Sequence, residues 1–229
     1  GSEWEASVSE VSSVTAGHPY FARMSRTDGV EVWDMEGEPT RLTWPNGEKK
    51  LVGDVSSRRR YNAIAMKGDR VVVGGSAMMA RMIVTESPDG PVVQLPLGPM
   101  YLPPAVQIFD VIVPMVEEYK IEGNRLVRVA FWRGQADDKQ DTVLGLSWGS
   151  AIYAVTIDTL MTFSENEYED QGNGRILLKV TSQMNRGILG FMRPVVFGDL
   201  LVGVGDNQVK VMSVENAEQP VPIGQIGIG

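Results

Sequence analysis

The chain contains no cysteine, which excludes a disulfide framework, a thiolate metal site and a cysteine nucleophile. It has one histidine, His18, so the side chain most used as a general base near neutral pH is almost missing. No window approaches the roughly 18 uninterrupted apolar residues that a membrane-spanning helix needs, and no membrane insertion is expected. Positive charge is the minority sign: 21 Lys and Arg against 29 Asp and Glu give a formal net charge of -8. Phosphate contacts along nucleic acid need clustered Lys and Arg, so generic nucleic-acid binding is not expected. The missing cysteine fits either side of a membrane, and the compartment stays open.

What is present is 43% hydrophobic residues over 229 positions, enough for one large or two small cores. Gly1-Ser2 reads as the scar of a cleaved tag and is left out of fold reasoning. Residues 3–17, rich in serine, read as a tail or a single edge strand, and 18–229 as one β-repeat domain. Short apolar runs alternate with Gly, Pro, Asn and Asp turns throughout. Tyr20 to Met24 and Val30 to Asp34 flank Thr27-Asp28-Gly29, a strong short hairpin signal. Leu200 to Val204 and Val209 to Val214 flank Gly205-Asp206-Asn207, whose short polar side chains reverse the chain cheaply. After them Pro220 and Pro222 predict an exit loop with at most an edge strand. Val113 to Tyr119 is the one helical candidate, but it is short and contains Pro114.

Asp28-Gly-Val-Glu-Val-Trp-Asp34 resembles the end of a WD-type repeat, in which an Asp-Gly turn leads into a strand closing on Trp-Asp. Asn62 to Leu95 follows the same order of strands and turns, with Gly68-Asp69 as its first turn and Ala80 to Val84 as a separate third strand. Phe197 to Glu215 is a third copy, with Met212-Ser213 in place of Trp-Asp, and no copy carries the family's Gly-His pair. The resemblance implies an all-β, β-propeller-like fold of four to five antiparallel blades, or part of a larger propeller. Taking Trp33, Ile83 and Met212 as equivalent gives intervals of 50 and 129 residues, and repeats of this kind run about 40–50. The central region must therefore hold one or two further units. A β-sandwich is the alternative, since it also yields many short strands between such turns.

The chemistry-bearing residues are sparse. His18 has no identifiable serine or carboxylate partner and reads as a loop residue. Asp137-Asp138 and the run Glu165, Glu167, Glu169, Asp170 lie in the most polar windows, without the ligand spacing of a calcium loop. The second run, Ser164 to Gly174, is expected to be a solvated loop. Gly74-Gly75 and Gly203 to Gly205 lack the Lys-Ser/Thr of a P-loop, and no cofactor or metal is expected. The twelve methionines, Met78, Met79 and Met82 among them, read as core filler. Arg58-Arg59-Arg60-Tyr61 stands out in an acidic chain, because three adjacent arginines cannot all enter a core. Trp132-Arg133 and Trp44-Pro45 sit at strand-to-loop borders, and exposed Trp, Tyr and Arg are frequent in interface hot spots.

These features predict a non-enzymatic protein-interaction or scaffold module. Its partner surface is Arg58, Arg59, Arg60, Tyr61, Trp132 and Arg133, and its partner an acidic or phosphorylated segment or a neighbouring domain. Two other readings stay open: an enzyme or small-ligand binder whose carboxylates converge at a central pocket, and a structural segment of a larger protein.

Overall fold

The computed structural model describes residues 11–52, 59–84, 92–93, 106–135, 141–172, 174–185, 193–205 and 207–227. Four up-and-down antiparallel meanders follow one another along the chain, and each is a four-stranded blade. The first is β1 (Val11–Gly17), β2 (Tyr20–Ser25), β3 (Gly29–Asp34) and β4 (Thr40–Arg41). The second is β5 (Arg59–Lys67), β6 (Arg70–Val84), β8 (Val106–Glu122) and β9 (Arg125–Arg133), with the two-residue β7 (Val92–Val93) paired to the far end of β6. The third is β10 (Val143–Trp148), β11 (Ile152–Thr156), β12 (Thr159–Asp170) and β13 (Ile176–Asn185). The fourth is β14 (Arg193–Phe197), β15 (Leu200–Val204), β16 (Gln208–Ser213) and β17 (Val221–Gly227). The chain is all-β and propeller-like, and the described residues form four of the expected four to five blades.

The central two blades differ from the outer ones. A single parallel bridge, Leu177 to Phe131, joins β13 to β9 and makes one continuous sheet of them. At the other edge β10 packs along β5 and β6, and Asn62 Nδ2 donates to Thr142 Oγ1 at 2.9 Å. The pair thus nearly closes into a barrel-like body.

Three apolar cores lie in series. Ala22, Met24, Val30 and Val32 of the first blade pack on Ile64, Met66, Val71 and Met115 of the second. The opposite face of the second, with Ala65, Val72 and Val116, packs on Val143, Ile152 and Phe163 of the third. Tyr153, Val155 and Leu160 of the third pack on Leu201 and Met212 of the fourth. Because side chains alternate along a strand, each central strand supplies two of these interfaces at once. Five methionines, Met24, Met66, Met115, Met161 and Met212, are buried in these cores, while Met78 is partly exposed.

Local composition misread several elements. Val113 to Tyr119 is strand, not helix: β8 runs straight through Pro114. The proline is tolerated because its carbonyl accepts from Gly134 N–H at 2.8 Å, just past the end of β9, so the N–H it lacks would have served only a terminal bond. Ala80 to Val84 is the continuation of β6 rather than a new strand, so the second blade reaches to Arg133 and Ile83 is not equivalent to Trp33. The acidic run from Ser164 to Asp170 is not a loop but the outer half of β12, with Tyr168, Glu169 and Asp170 opposite Leu178, Leu177 and Ile176. Its carboxylates are compensated from other elements, Glu165 by Lys67 and Glu167 by Lys179. Pro222 lies within the edge strand β17, and Val11–Gly17 is the edge strand of the first sheet. Asp137, Asp138 and Asp206 lie outside the described residues.

Candidate functional site

The run from Val111 to Ile121 alternates, and its odd members Val113, Met115, Tyr119 and Ile121 enter the first core. Glu117 has the same parity and is carried in with them, 1% exposed. A carboxylate there must be paired, and five cationic or hydroxyl groups meet it. The hydroxyls of Tyr61 and Tyr119 donate to its Oε2 at 2.8 and 2.9 Å, and Lys50 Nζ reaches the same oxygen at 3.4 Å. Arg59 Nη1 donates to Oε1 at 3.2 Å, and Arg128 Nη1 lies 3.8 Å from it.

Lys50 is 2% exposed. It returns from a 3-10 turn at Pro45–Gly47 and is wedged between β3 and β5: Val30 N–H donates to its carbonyl at 2.8 Å, and Tyr61 N–H to the carbonyl of Leu51 at 3.2 Å. Gly29 makes room. Its φ is +77°, and a Cβ there would overlap the Lys50 carbonyl oxygen. The ammonium sits 5.6, 5.3 and 5.1 Å from the ring centroids of Trp44, Tyr61 and Tyr119, a three-ring cage that offsets part of its lost hydration. Trp44 is fixed edge-on to Tyr119, with centroids 4.9 Å apart, and its Nε1 donates to the Val30 carbonyl at 2.8 Å.

The electrostatics follow. Burial pushes the Glu117 carboxyl up, but Lys50, Arg59 and the two tyrosine hydroxyls outweigh it and hold it below the ordinary range. Burial, then the adjacent carboxylate, pushes both Tyr61 and Tyr119 hydroxyls far up, so they remain donors. Arg133 is pushed down, by burial first and then by Arg59 and Arg128. Lys50 Nζ also donates to Glu48 Oε2 at 3.2 Å, so Lys50, Arg59, Arg128 and Arg133 share the carboxylates of Glu117 and Glu48.

Above the cluster lies an open cleft of about 750 Å³, with Thr43 to Glu48 as one wall and Arg125 to Arg128 of β9 as the other. Arg59, Lys50 and Tyr119 also line it. Arg125 and Arg128 are exposed, and Arg59 keeps about a third of its side chain in water. A larger groove, about 990 Å³, runs past Trp132, Arg133, Asp141 and Asp158. The Asp141 carboxylate is already engaged there, accepting from the Thr142 and Ile157 N–H groups.

The six residues expected from sequence are only partly brought together. Arg59 and Tyr61 reach the cluster, Tyr61 as a buried member rather than a surface one. Arg60, between them, points to the other face of β5 by alternation and is half-buried. Trp132 packs edge-on against Phe163 in the second core, with centroids 5.5 Å apart. Arg133 stacks on the Phe131 ring at 5.5 Å. Arg58 lies outside the described residues. Lys50, Glu117, Tyr119, Arg125 and Arg128 were not foreseen, although Glu117-Glu118 inside an otherwise apolar run was a signal for a buried ionic site.

Among the described residues Asp141 and Asp158 line the larger groove together, whereas Glu117 and Glu118 diverge. Glu118 points to the opposite face of β8, where Oε1 accepts from Arg70 and Tyr168 at 3.0 and 3.1 Å, and Oε2 has no partner among the described residues. His18 is exposed in the β1–β2 turn. Among the described residues no group of three or more His, Asp or Glu side chains is placed to hold a metal ion, and no helix is long and apolar enough to cross a membrane.

No family model and no curated protein matches the sequence. Solved structures do. The chain is similar to Hsv2 of Kluyveromyces. A Kluyveromyces lactis Hsv2 structure shows 10% identity and a TM-score of 0.39 over 96% of this chain and 74% of that one. A second K. lactis Hsv2 structure shows 11% and 0.40 over 95% and 73%, and the Hsv2 of Kluyveromyces marxianus 10% and 0.37 over 96% and 72%. At these values the likeness to Hsv2 carries no argument about the cleft, which rests on its own geometry.

Proposed function

We propose that the chain is a non-catalytic binding module, built of divergent WD-type blades, that holds an acidic or phosphorylated segment of a protein partner in the cleft between Pro45–Gly47 and β9. The observation that carries this reading is the crowding of Lys50, Arg59, Arg128 and Arg133 around the two carboxylates of Glu117 and Glu48. In a protein of net charge -8, that local excess has no obvious structural use. An arriving phosphate or carboxylate would relieve the repulsion among the guanidinium groups and gain bidentate hydrogen bonds from Arg125 and Arg128. The buried cage beneath holds Lys50 and Arg59 in place and lowers the ordering cost of binding.

The test is a fluorescence-anisotropy titration with a labelled peptide bearing phosphoserine flanked by glutamates, against its Ser/Gln twin. The expected result is binding of the acidic peptide alone, lost in an Arg125→Glu/Arg128→Glu variant that keeps the wild-type melting temperature. Equal affinity for both peptides, or unchanged affinity in the variant, would overturn the reading.

A further inference from the structure

The cleft is also an interruption in a sheet. Glu122 and Arg125 face each other across the two-residue turn Gly123-Asn124 that joins β8 to β9. In an antiparallel pair every second residue turns its N–H and C=O away from the partner strand. Leu126 is one of these, because its N–H donates to the Thr43 carbonyl at 2.8 Å. Arg128, two residues on and opposite Tyr119, is the next.

Thr43 begins a ladder on this edge of β9. Its N–H donates to the Asn124 carbonyl at 3.0 Å and its carbonyl accepts from Leu126, which makes a parallel bridge to Arg125. The next donor in a parallel ladder lies two residues on, at position 45, and would meet the Leu126 carbonyl. That residue is proline, which has no N–H, and there the chain turns into the 3-10 segment Pro45–Gly47. The ladder stops after one bridge. Among the described residues β9 regains a neighbour only at Phe131, through its bridge to Leu177. Between the two bridges the Leu126 carbonyl and both main-chain groups of Arg128 face the cleft, whose other wall is the segment that turned away.

We propose that the acidic segment of the partner binds here as an added β-strand, completing the ladder that Pro45 ends. This rests on the reading of the cleft as an anion site and adds the conformation of what it takes. The segment is extended, with alternate peptide N–H groups donating to the Leu126 and Arg128 carbonyls and a peptide carbonyl accepting from the Arg128 N–H. Main-chain bonds of this kind supply affinity whatever the sequence, and side chains supply the choice. Here the choice is charge. Neighbouring residues of adjacent strands share a face, so every second side chain of the added strand falls in the row of Arg128. The Arg128 guanidinium shares Glu117 Oε1 with Arg59, and Arg125 adds a further exposed cation at the start of β9. A carboxylate or phosphate in that row meets donors that one buried glutamate leaves under-used. The chain's own atoms leave the place open, since the Arg128 side chain is 46% exposed.

The test uses the intact chain and the labelled phosphoserine peptide, in a series where each backbone nitrogen in turn carries a methyl group. Anisotropy titrations are expected to alternate along the peptide. Affinity should fall on the order of tenfold where the amide donates, since the bond is lost and the methyl fills its place, and change little at the residue between. Amide hydrogen exchange followed by NMR is the second readout. Saturation with the unmethylated peptide is expected to slow exchange at Arg128 by about tenfold or more, and to leave Leu126, already bonded to Thr43, as it was. A series without alternation, whether tolerant or uniformly weakened, or an Arg128 amide that stays unprotected, overturns the added strand; the anion site still stands if the Ser/Gln twin fails to bind. Equal affinity for the acidic peptide and its twin, nil included, overturns both.

Discussion

Lys50 and Glu117 form an ion pair 3.4 Å long in which neither side chain is more than 2% exposed. Its members come from positions 67 residues apart: Lys50 from an irregular return segment, Glu117 from the middle of the longest strand. Buried pairs of this kind add little net stability, yet losing one partner strands the other in a medium that cannot solvate it. The cluster is therefore sensitive to single changes and tolerant of matched ones.

Glu117→Gln is expected to lower the unfolding free energy by about 3–5 kcal/mol, since Lys50 is left with the half-exposed Glu48 and Arg59 loses its ion pair with Glu117. Lys50→Met combined with Glu117→Leu should cost less than the sum of the two single changes, by more than the ~0.5 kcal/mol expected of independent sites. Urea unfolding of the five proteins (wild type, Glu117→Gln, Lys50→Met, Glu117→Leu and the double variant) measures both, and additive losses would show that the pair is not coupled.

The neighbouring glutamates should give opposite pH dependences. Glu117 is held below its ordinary value of 4.5, so its contribution is present above that value and is lost as pH falls through the lowered one. Glu118 is raised: burial dominates, and Arg70 and the Tyr168 hydroxyl recover only part of it. Its protonated form favours the fold, so the wild type should lose stability as pH rises from 4.5 through the raised value. Glu118→Gln, whose amide keeps an acceptor for Arg70, should abolish that loss, and Glu117→Gln should abolish the acid-side loss. Melting temperatures from pH 3 to 8 decide; a Glu118→Gln curve parallel to the wild type would contradict the assignment.

Gly29 and Gly37 have nearly the same backbone, with φ of +77° and +75°. An added methyl at Gly37 meets nothing within 4 Å, whereas at Gly29 it meets the Lys50 carbonyl. Gly37→Ala should cost only left-handed strain, about 1–2 kcal/mol. Gly29→Ala should cost clearly more and shift the fluorescence of Trp44, whose Nε1 bonds to the adjacent Val30. Equal losses would mean that the Lys50 segment moves aside freely.

If the cleft takes anionic segments, binding must weaken with salt. Arg128→Ala should reduce affinity for the phosphopeptide by about 1.5–3 kcal/mol, the range for a hydrogen bond to a charged group, and should flatten the salt dependence, because an ion contact is removed with it. Titrations at 50 and 300 mM salt, chosen to take the screening length from about 14 to about 6 Å, separate this from a shape-only contact, whose salt slope would not change.

Much of the fold was legible because turns are local. Asp28-Gly29, Gly68-Asp69 and Gly205 to Asn207 marked hairpins through residues that accept the turn by themselves. The extents of β6 and β8 were not, since a strand that passes through Gly74-Gly75-Ser76 and one that passes through Pro114 look like two strands and a helix when neighbours are unknown. The acidic half of β12 reads as loop until Lys67 and Lys179 are placed beside it. At the cleft, Arg59 was visible as part of a basic run, but Glu117 draws its partners from positions 50, 59, 61, 119 and 128. Only folding brings those together.

The serial arrangement of the three cores also sets how the molecule comes apart. The first and third cores have no residue in common, and the second core lies between them. Opening of the fourth blade therefore removes nothing from the cage around Lys50, and the slowest-exchanging amides should lie in β5, β6 and β8. A molecule frayed at its far end, or nicked there by a protease, keeps its cleft.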